Sequence, residues 1–550
     1  MPNLFEKRPI LIILLLTLVM LGLGFPHLDV TIMEARNFIT AREMIDDGNW
    51  LLTTMNGEPR YQKPPLPTWF AAVFGWLFGW KHIVLIRLPG ILMVALTGIV
   101  AYFFSNGLSQ DKRFSTLNGF IAITSMYVVA IVIEAPWDIF THGFMFFGIY
   151  HLFQLLEKSS NYWRHTILAG VGIGLSILCK GPISFYALLL PFLIAYGFSF
   201  NYKGFRSKAF SLFSVLLIGS LVGGWWYLYV RLIDPATFIE VAEKETQNWS
   251  NYNVRPFYYY WSFFVQSGLW TILAFVSLLY PYLKNRVRFK KGYKLSFLWT
   301  ILAVILLSVI PEKKSRYLMP VLIPLALNIG YYVDYLIREF KNFRNKKEVI
   351  PVYFHFGLIA FIGIFFPLSL IKLHTDLEGM QWVLFGVGAI GFPLIGYLIL
   401  KNLRHRDIRN CAYLTIIFFA MAFAFILPLG KTQWSTDYRP IDQLRAESLE
   451  KGYTVKSIGQ VSPEIIWQFG DKILPINIQA DELKTDQPET LGVLVNPERL
   501  NDLDPFKEWY DIKPEGSFDL NRTQQGERGY RKRLKVDYFV LTLKTNPSLR

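Results

Sequence analysis

Charge is what this chain is short of. Only 18% of its 550 residues are Asp, Glu, Lys or Arg, against about 25% in soluble domains. That scarcity argues against an ordinary water-soluble protein. Cysteine is rarer still: Cys179 and Cys411 are the only two, both in apolar runs. They exclude a disulfide framework and form no metal motif. The chain has no Gly-rich phosphate loop, zinc spacing, heptad repeat or clear pair of repeated halves, which removes the sequence signatures of a soluble nucleotide site, a zinc module and a coiled coil. The first apolar run, residues 9–25, follows Lys7 and Arg8 but has no small-x-small cleavage site after it. It reads as a retained span rather than a secretory signal.

What the chain has is apolar length. It is 53% hydrophobic and 17% aromatic, and runs near the spanning length of about 20 residues recur through residue 430. The fold expected is an α-helical polytopic membrane protein of about 13 spans. They fall roughly at 8–25, 83–103, 115–134, 138–157, 165–180, 182–200, 210–232, 261–283, 295–311, 317–337, 350–372, 380–400 and 410–430. The most basic short loops are KNRVRFKKGYK (284–294), REFKNFRNKK (338–347) and KNLRHRDIR (401–409); APW (135–137) and HTDLEG (374–379) lack Lys and Arg. The positive-inside rule therefore puts the N-terminus in the cytoplasm, and an odd span count puts the C-terminus outside. The net charge of +15 reflects these loops and the anionic leaflet they face, with no nucleic-acid partner implied.

Three segments then lie outside: loop 26–82, loop 233–260 and the tail 431–550. In the first, EARNFITAREMIDDGNW (34–50) reads as a helix lying at the interface with its apolar side toward lipid, ended by Gly48. An ordinary surface helix on a small domain is the alternative. The organisation expected is a membrane domain over 1–430, including loop 26–82, and a small outer α/β domain over 431–550. The tail carries β-rich runs YTVKSIG (453–459), ILPINI (473–478), LGVLVN (491–496) and YFVLTL (538–543), and SPEIIWQFG (462–470) reads as a short helix opening on Ser462. NRT (521–523) matches a glycosylation sequon.

Charges beside the membrane are costly and often functional. Outside acids are Asp29, Glu34 and Asp138; outside bases are Arg36, Arg60, Lys63, Lys180, Lys313, Lys314, Arg316 and Arg255. Lys180, in SILCKGPISF, either snorkels to the interface or lines a cavity where Gly181-Pro182 breaks the helix. Asp138 either serves the start of its helix or belongs to a site, with Glu134 one turn earlier. PEKKSRYLMPVLIP (311–324) sets three cations outside, against the inside bias, which favours an anionic ligand over a solvated loop. Arg255, among aromatics, reads as part of an interfacial belt. A lipid headgroup carrying phosphate suits this cationic face.

The stretch EARNFITAREMIDDGNWLLTTMNGEPRYQKPPLPTW (34–69), with KGP (180–182) and RYLMPVLIP (316–324), resembles the polyprenyl-phosphate-dependent glycosyltransferases. Among them it is most similar to the bacterial aminoarabinose transferases that modify lipid A, with protein O-mannosyltransferases more distant. The resemblance covers roughly residues 5–430. It implies a GT-C-like fold with a periplasmic C-terminal domain in the bacterial inner membrane. It also implies transfer of a sugar from an undecaprenyl-phosphate donor, with inversion, to a lipid A-type or other envelope acceptor. Carried over by residue, Lys63, Arg60, Lys180 and Arg316 hold the donor phosphate. Asp138 with Glu34 or Asp29 orients the sugar and the nucleophile, or acts as base. Where the family often has Asp-Glu, this chain has Met33-Glu34; where the aminoarabinose enzymes commonly have Glu and His, it has Gln62 and Asn253. Neutral amides are poor ligands for transition metals, so no zinc is expected at that place; the reading includes no other metal and no cofactor. The rival readings are a protein O-glycosyltransferase, a transporter or flippase of anionic lipids, and a carrier-lipid-binding pseudo-enzyme.

Overall fold

The computed structural model describes residues 2–157, 162–202, 206–371, 377, 379–431, 435–476 and 488–544. Most of the link 374–379 lies outside them. The chain divides into two compact units: Met1–Leu28 with Tyr61–Gly430, and Asp29–Arg60 with Lys431–Arg550.

The first unit is helical. Ten helices among the described residues are long and apolar enough to cross a membrane, from Pro9–His27 to Ile408–Leu429. They align with ten of the thirteen expected segments. The other three differ for visible reasons. Tyr162–Lys180 is a single helix of 19 residues, but Arg164, His165, Lys180 and three glycines dilute its apolar character. Phe185–Phe200 is apolar but short. Residues 263–283 form a broken series, kinked at Gly268 with φ of 68° and followed by Thr271–Ser277 and Tyr280–Leu283.

Glycines set how closely Tyr162–Lys180 approaches Ala209–Ile233. A Cβ on Gly174 would lie 2.9 Å from the Gly219 carbonyl oxygen, and one on Gly223 would lie 2.7 Å from that of Gly174. Small residues let membrane helices meet backbone to backbone. Gly223→Val is therefore expected to cost about 1–3 kcal/mol through overpacking, read as a lower thermal midpoint in detergent. It also displaces the helix that carries Lys180.

The second unit joins the tail to part of the first outer loop. β1 (Thr54–Met55) and β2 (Glu58–Pro59) form a small hairpin. The tail holds β3 (Thr454–Ile458), β4 (Thr490–Val495), β5 (Tyr510–Asp519) and β6 (Lys535–Leu543) in the order β3-β4-β6-β5. β3 runs parallel to β4; the other pairs are antiparallel. Three strands match expected runs, while ILPINI contributes a bridge from Pro475 to Ser457, its last two residues lying outside those described. β5 escaped the sequence reading because Pro514 and Gly516 interrupt it, at a register shift. Pro463–Phe469 is the expected helix, but the Ser462 side chain makes no capping bond. Asn521 of the sequon is 3% exposed and donates to Asp519 and to the Arg531 carbonyl at 2.7 and 3.1 Å, which leaves a poor glycan acceptor.

The helix expected at the interface packs elsewhere. Ile32–Asp46 is a helix that ends just before Gly48, but its apolar side does not face lipid. Ile39 is fully buried among Ile441, Leu444, Ile465 and Phe469 of the tail, and Phe38 packs on Trp467 at 5.3 Å. Residues 29–60 thus belong with the tail rather than with the expected 1–430 domain. The hydrophobic side of a helix goes to whatever core is available, and that core lies some 400 residues later in the sequence.

Glu43 fixes the hairpin. Its carboxylate, 1% exposed, accepts from Thr54 Oγ1 at 2.6 Å and from the backbone N–H groups of Asn56 (2.6 Å) and Gly57 (3.3 Å). Asn56 and Gly57 both have positive φ, as a two-residue hairpin turn of this kind demands. Glu43→Gln turns an amide NH2 toward these donors and is expected to cost about 1–3 kcal/mol. Faster hydrogen exchange at Asn56 and Gly57 checks it.

Candidate active site

In the membrane unit, an ion pair sits at the ends of two antiparallel helices. Asp138 lies in the first turn of Pro136–Glu157, and Tyr162–Lys180 ends at Lys180. The Lys180 ammonium donates to the Asp138 carboxylate. Asp138 is 1% exposed and the Lys180 side chain 10%, so the pair is largely withdrawn from water. One turn beyond Asp138, His142 shares a 2.7 Å hydrogen bond with Ser184, both buried. Gly181, at φ of 76°, ends the lysine's helix and lets the chain turn back toward Ser184.

Tyr317 connects this pair to the next loop. Lys180 Nζ lies 5.4 Å from its ring centroid, Lys314 Nζ 5.5 Å and Arg316 Cζ 5.9 Å. Three cations thus surround one aromatic ring, at distances suited to cation–π attraction. The Tyr317 hydroxyl donates to Glu312 at 3.1 Å, and Lys314 donates to the same carboxylate at 2.5 Å. Lys313 serves the scaffold instead. Its ammonium donates to the carbonyls of Ile310 and Arg255 at 2.5 and 3.1 Å, and burial lowers its pKa. Val254 pairs with Glu312 in an antiparallel bridge, and Asn253, at φ of 50°, accepts from the Lys313 N–H. Arg255 itself is exposed, as a belt residue would be.

The proline-rich stretch approaches the same helices. Lys63-Pro64-Pro65 leads into the helix Leu66–Phe78, where proline is favoured because the first N–H groups need no partner. Phe70 stacks on Phe140, two residues past Asp138, at 5.5 Å, and Trp69 stacks on Trp225 at 6.3 Å. Lys63 faces Glu245 at 3.7 Å, and the Tyr61 hydroxyl donates to Asp234 at 3.0 Å. Burial and that bond raise the Tyr61 phenol to about 12. Gln62 Oε1 is buried with no hydrogen-bond partner among the described residues.

The other expected site residues lie in the second unit and are held there. Arg60 donates to the Arg36 carbonyl at 2.6 Å and to Thr40 Oγ1 at 2.9 Å; burial and neighbouring Arg36 pull it down to about 9. Glu34, fully buried, closes a capping box with Thr31. Asp29 is ion-paired with Arg522. The structure therefore gathers Asp138, Lys180 and Arg316, and engages Lys63 with Glu245. It gives Arg60, Glu34 and Asp29 bonds within their own unit. Sequence reasoning missed His142, Ser184, Glu312 and Tyr317. The spacing of Asp138 and His142, four apart in one helix, was a usable signal, as was the tyrosine inside RYLMPVLIP. Among the described residues, no three His, Cys, Asp or Glu side chains converge as a metal-binding group.

The family profile for dolichyl-phosphate-mannose-protein mannosyltransferase matches residues 62–226, which include Lys63, Asp138 and Lys180. An undecaprenyl phosphate-alpha-4-amino-4-deoxy-L-arabinose arabinosyl transferase of Proteus mirabilis is 24% identical over 66% of this chain and 66% of its own length. One from an Enterobacter species is 21% identical over 82% of each chain. An uncharacterized protein of Aquifex aeolicus is 24% identical over 74% of this chain and 75% of its own. Among solved structures, ArnT from Cupriavidus metallidurans bound to undecaprenyl phosphate superposes with a TM-score of 0.66 at 15% identity, covering 96% of each chain. That likeness establishes the fold along nearly the whole length. With the family profile and the curated relatives, it makes the chain a multi-span membrane glycosyltransferase of GT-C-like fold, similar to the aminoarabinose transferases.

Proposed function

We propose that the protein transfers a sugar from an undecaprenyl-phosphate-linked donor to a lipid A-type or other envelope acceptor, with inversion, at the periplasmic face of the bacterial inner membrane. The observation that carries this reading is the buried Asp138–Lys180 pair with Arg316 close by around Tyr317. Names of the relatives supply the donor class: the Proteus protein is called an undecaprenyl phosphate-aminoarabinose transferase, and the Cupriavidus structure holds undecaprenyl phosphate.

The chemistry follows from charge. An acceptor oxygen attacks the anomeric carbon from the face opposite the phosphate. The bond from that carbon to the phosphate oxygen breaks, and its electron pair stays on the phosphate. Fixed cations in a water-poor site stabilise that growing charge without reorganising; Lys180 and Arg316 take this role. Lys63 joins them, because its contact with Glu245 is long and Glu245 is 41% exposed, so a phosphate dianion competes for it easily. Asp138 orients the sugar and takes the proton when the acceptor is a hydroxyl. Glu34, Asp29 and Arg60 support the architecture, since each is bonded within the unit that carries the tail. A protein hydroxyl as acceptor is the second reading, favoured by the mannosyltransferase match.

The test uses purified protein in detergent, with no sealed compartment. Radiolabelled product is expected from a polyprenyl-phosphate sugar and none from the matching nucleotide sugar. A transporter makes no product under these conditions. Absence of product with every lipid-linked donor tried, in protein that still binds undecaprenyl phosphate, contradicts the reading.

A further inference from the structure

A second cationic site lies far along the sequence from the transfer residues, where four membrane-length helices end. Ser315–Asn342 finishes there, Lys346–Ser369 starts there, and Arg406 stands between Met380–Arg404 and Ile408–Leu429. The loops border an open cavity of about 590 Å³, within the size range of small-ligand sites. Lys341, Arg344, Lys346 and Arg406 line it, and no carboxylate does.

The fold anchors Arg406 and sets no acid against this charge among the described residues. Arg406, in the left-handed region at φ of 55°, donates to the carbonyls of Lys341 and Phe343, both at 3.0 Å. Those are acceptors left over after a helix end, so the carbonyl dipoles that would have offset the cations are already used. Asn345 caps the following helix by accepting from the Lys347 N–H at 3.0 Å, and the positive end of that 20-residue helix points at the same loop. Glu348, the acid in its first turn, is turned away in an ion pair with Arg286 at 3.2 Å. None of Lys341, Arg344, Lys346 or Arg406 forms a salt bridge among the described residues. Four cations and a helix N-terminus without a counterion describe an anion site, and its position at the ends of spanning helices puts it at the depth of lipid phosphates.

We infer that this cavity binds the phosphodiester headgroup of an anionic phospholipid. Basic pockets between spanning helices suit such headgroups, and the phosphate here replaces the missing counterion. Lys341, Arg344 and Lys346 grip it, while Arg406 holds the shape of the loop.

Native mass spectrometry of the full-length protein tests this, with phosphatidylglycerol and phosphatidylethanolamine as probes. Wild type is expected to retain phosphatidylglycerol at least tenfold more tightly than phosphatidylethanolamine. The triple variant Lys341→Gln, Arg344→Gln, Lys346→Gln is expected to lose that preference. These side chains are exposed, so the variant keeps its fold, checked by monodisperse elution. A salt titration of the wild type gives an independent reading: retention falls as ionic strength rises. Equal retention of the two lipids by wild type, undiminished phosphatidylglycerol binding by the triple variant, or insensitivity to salt overturns the inference.

Discussion

Asp138→Asn, with Lys180 left in place, is expected to destabilise the membrane unit by about 3–5 kcal/mol and to stop transfer. The reason is an asymmetry of buried ion pairs. Removing one partner leaves the other charged, dehydrated and unpaired, which costs that much. Here the acid is 1% exposed and the lysine side chain 10%, so water does little to replace the lost carboxylate. Removing both charges is different: an apolar replacement of a buried pair is often neutral or stabilising. The double variant Asp138→Asn, Lys180→Met is therefore expected to recover most of the lost thermal midpoint. Its activity is expected to stay absent. The cycle of two single variants and the double separates the structural value of the pair from its chemical role. A single Asp138→Asn protein with wild-type stability means the pair is not buried as described.

The second large effect concerns the tail. Deleting residues 431–550 is expected to unfold residues 29–60 while the membrane helices remain. Ile39 loses every tail residue of its cluster, and Phe38 loses Trp467. Full burial of such a side chain is worth roughly 1.5–3 kcal/mol, more than an isolated helix of 15 residues can spare. Two mutual bonds also go: Asn56 donates to the Ile473 carbonyl at 2.7 Å and accepts from its N–H at 2.8 Å. Limited trypsin digestion reads the outcome. Arg42, 5% exposed and 5.8 Å from the Trp467 ring centroid, is expected to resist cleavage in the full chain and to be cut rapidly in the truncation. Equal resistance in both contradicts the shared core.

These two cases mark what the sequence revealed and what it withheld. Asp138 and Lys180 stood out because a charge in an apolar run is expensive and visible. Their pairing was not visible, since 42 residues separate them and only the antiparallel packing of two helices brings them together. Lys63 was found by motif, but its partner Glu245 belongs to a helix that carries ordinary surface charges. The helix 32–46 was recognised as amphipathic, yet a periodic pattern tells only that one face is covered, not by what. Its cover is encoded in the tail. Arg60 and Glu34 stood out by their place in the motif stretch, and Asp29 by lying upstream of it. Their hydrogen bonds are local or directed to the tail, which residue type alone does not disclose. The ten membrane-length helices among the described residues were legible from hydropathy, whereas Gly268 and the glycines of the helix ending at Lys180 altered two segments that looked like further spans, and Phe185–Phe200 falls short of spanning length.

The most direct measurement is single-turnover transfer of labelled sugar from a polyprenyl-phosphate donor, in detergent, by wild type and by the folded Asp138→Asn, Lys180→Met variant at equal concentration. Loss of fixed charge at the leaving phosphate and of the carboxylate together predicts a fall of at least about 10² in rate, with the thermal midpoint near that of wild type. Transfer by the double variant at the wild-type rate would contradict the account, because the pair at its centre would then be part of the scaffold alone.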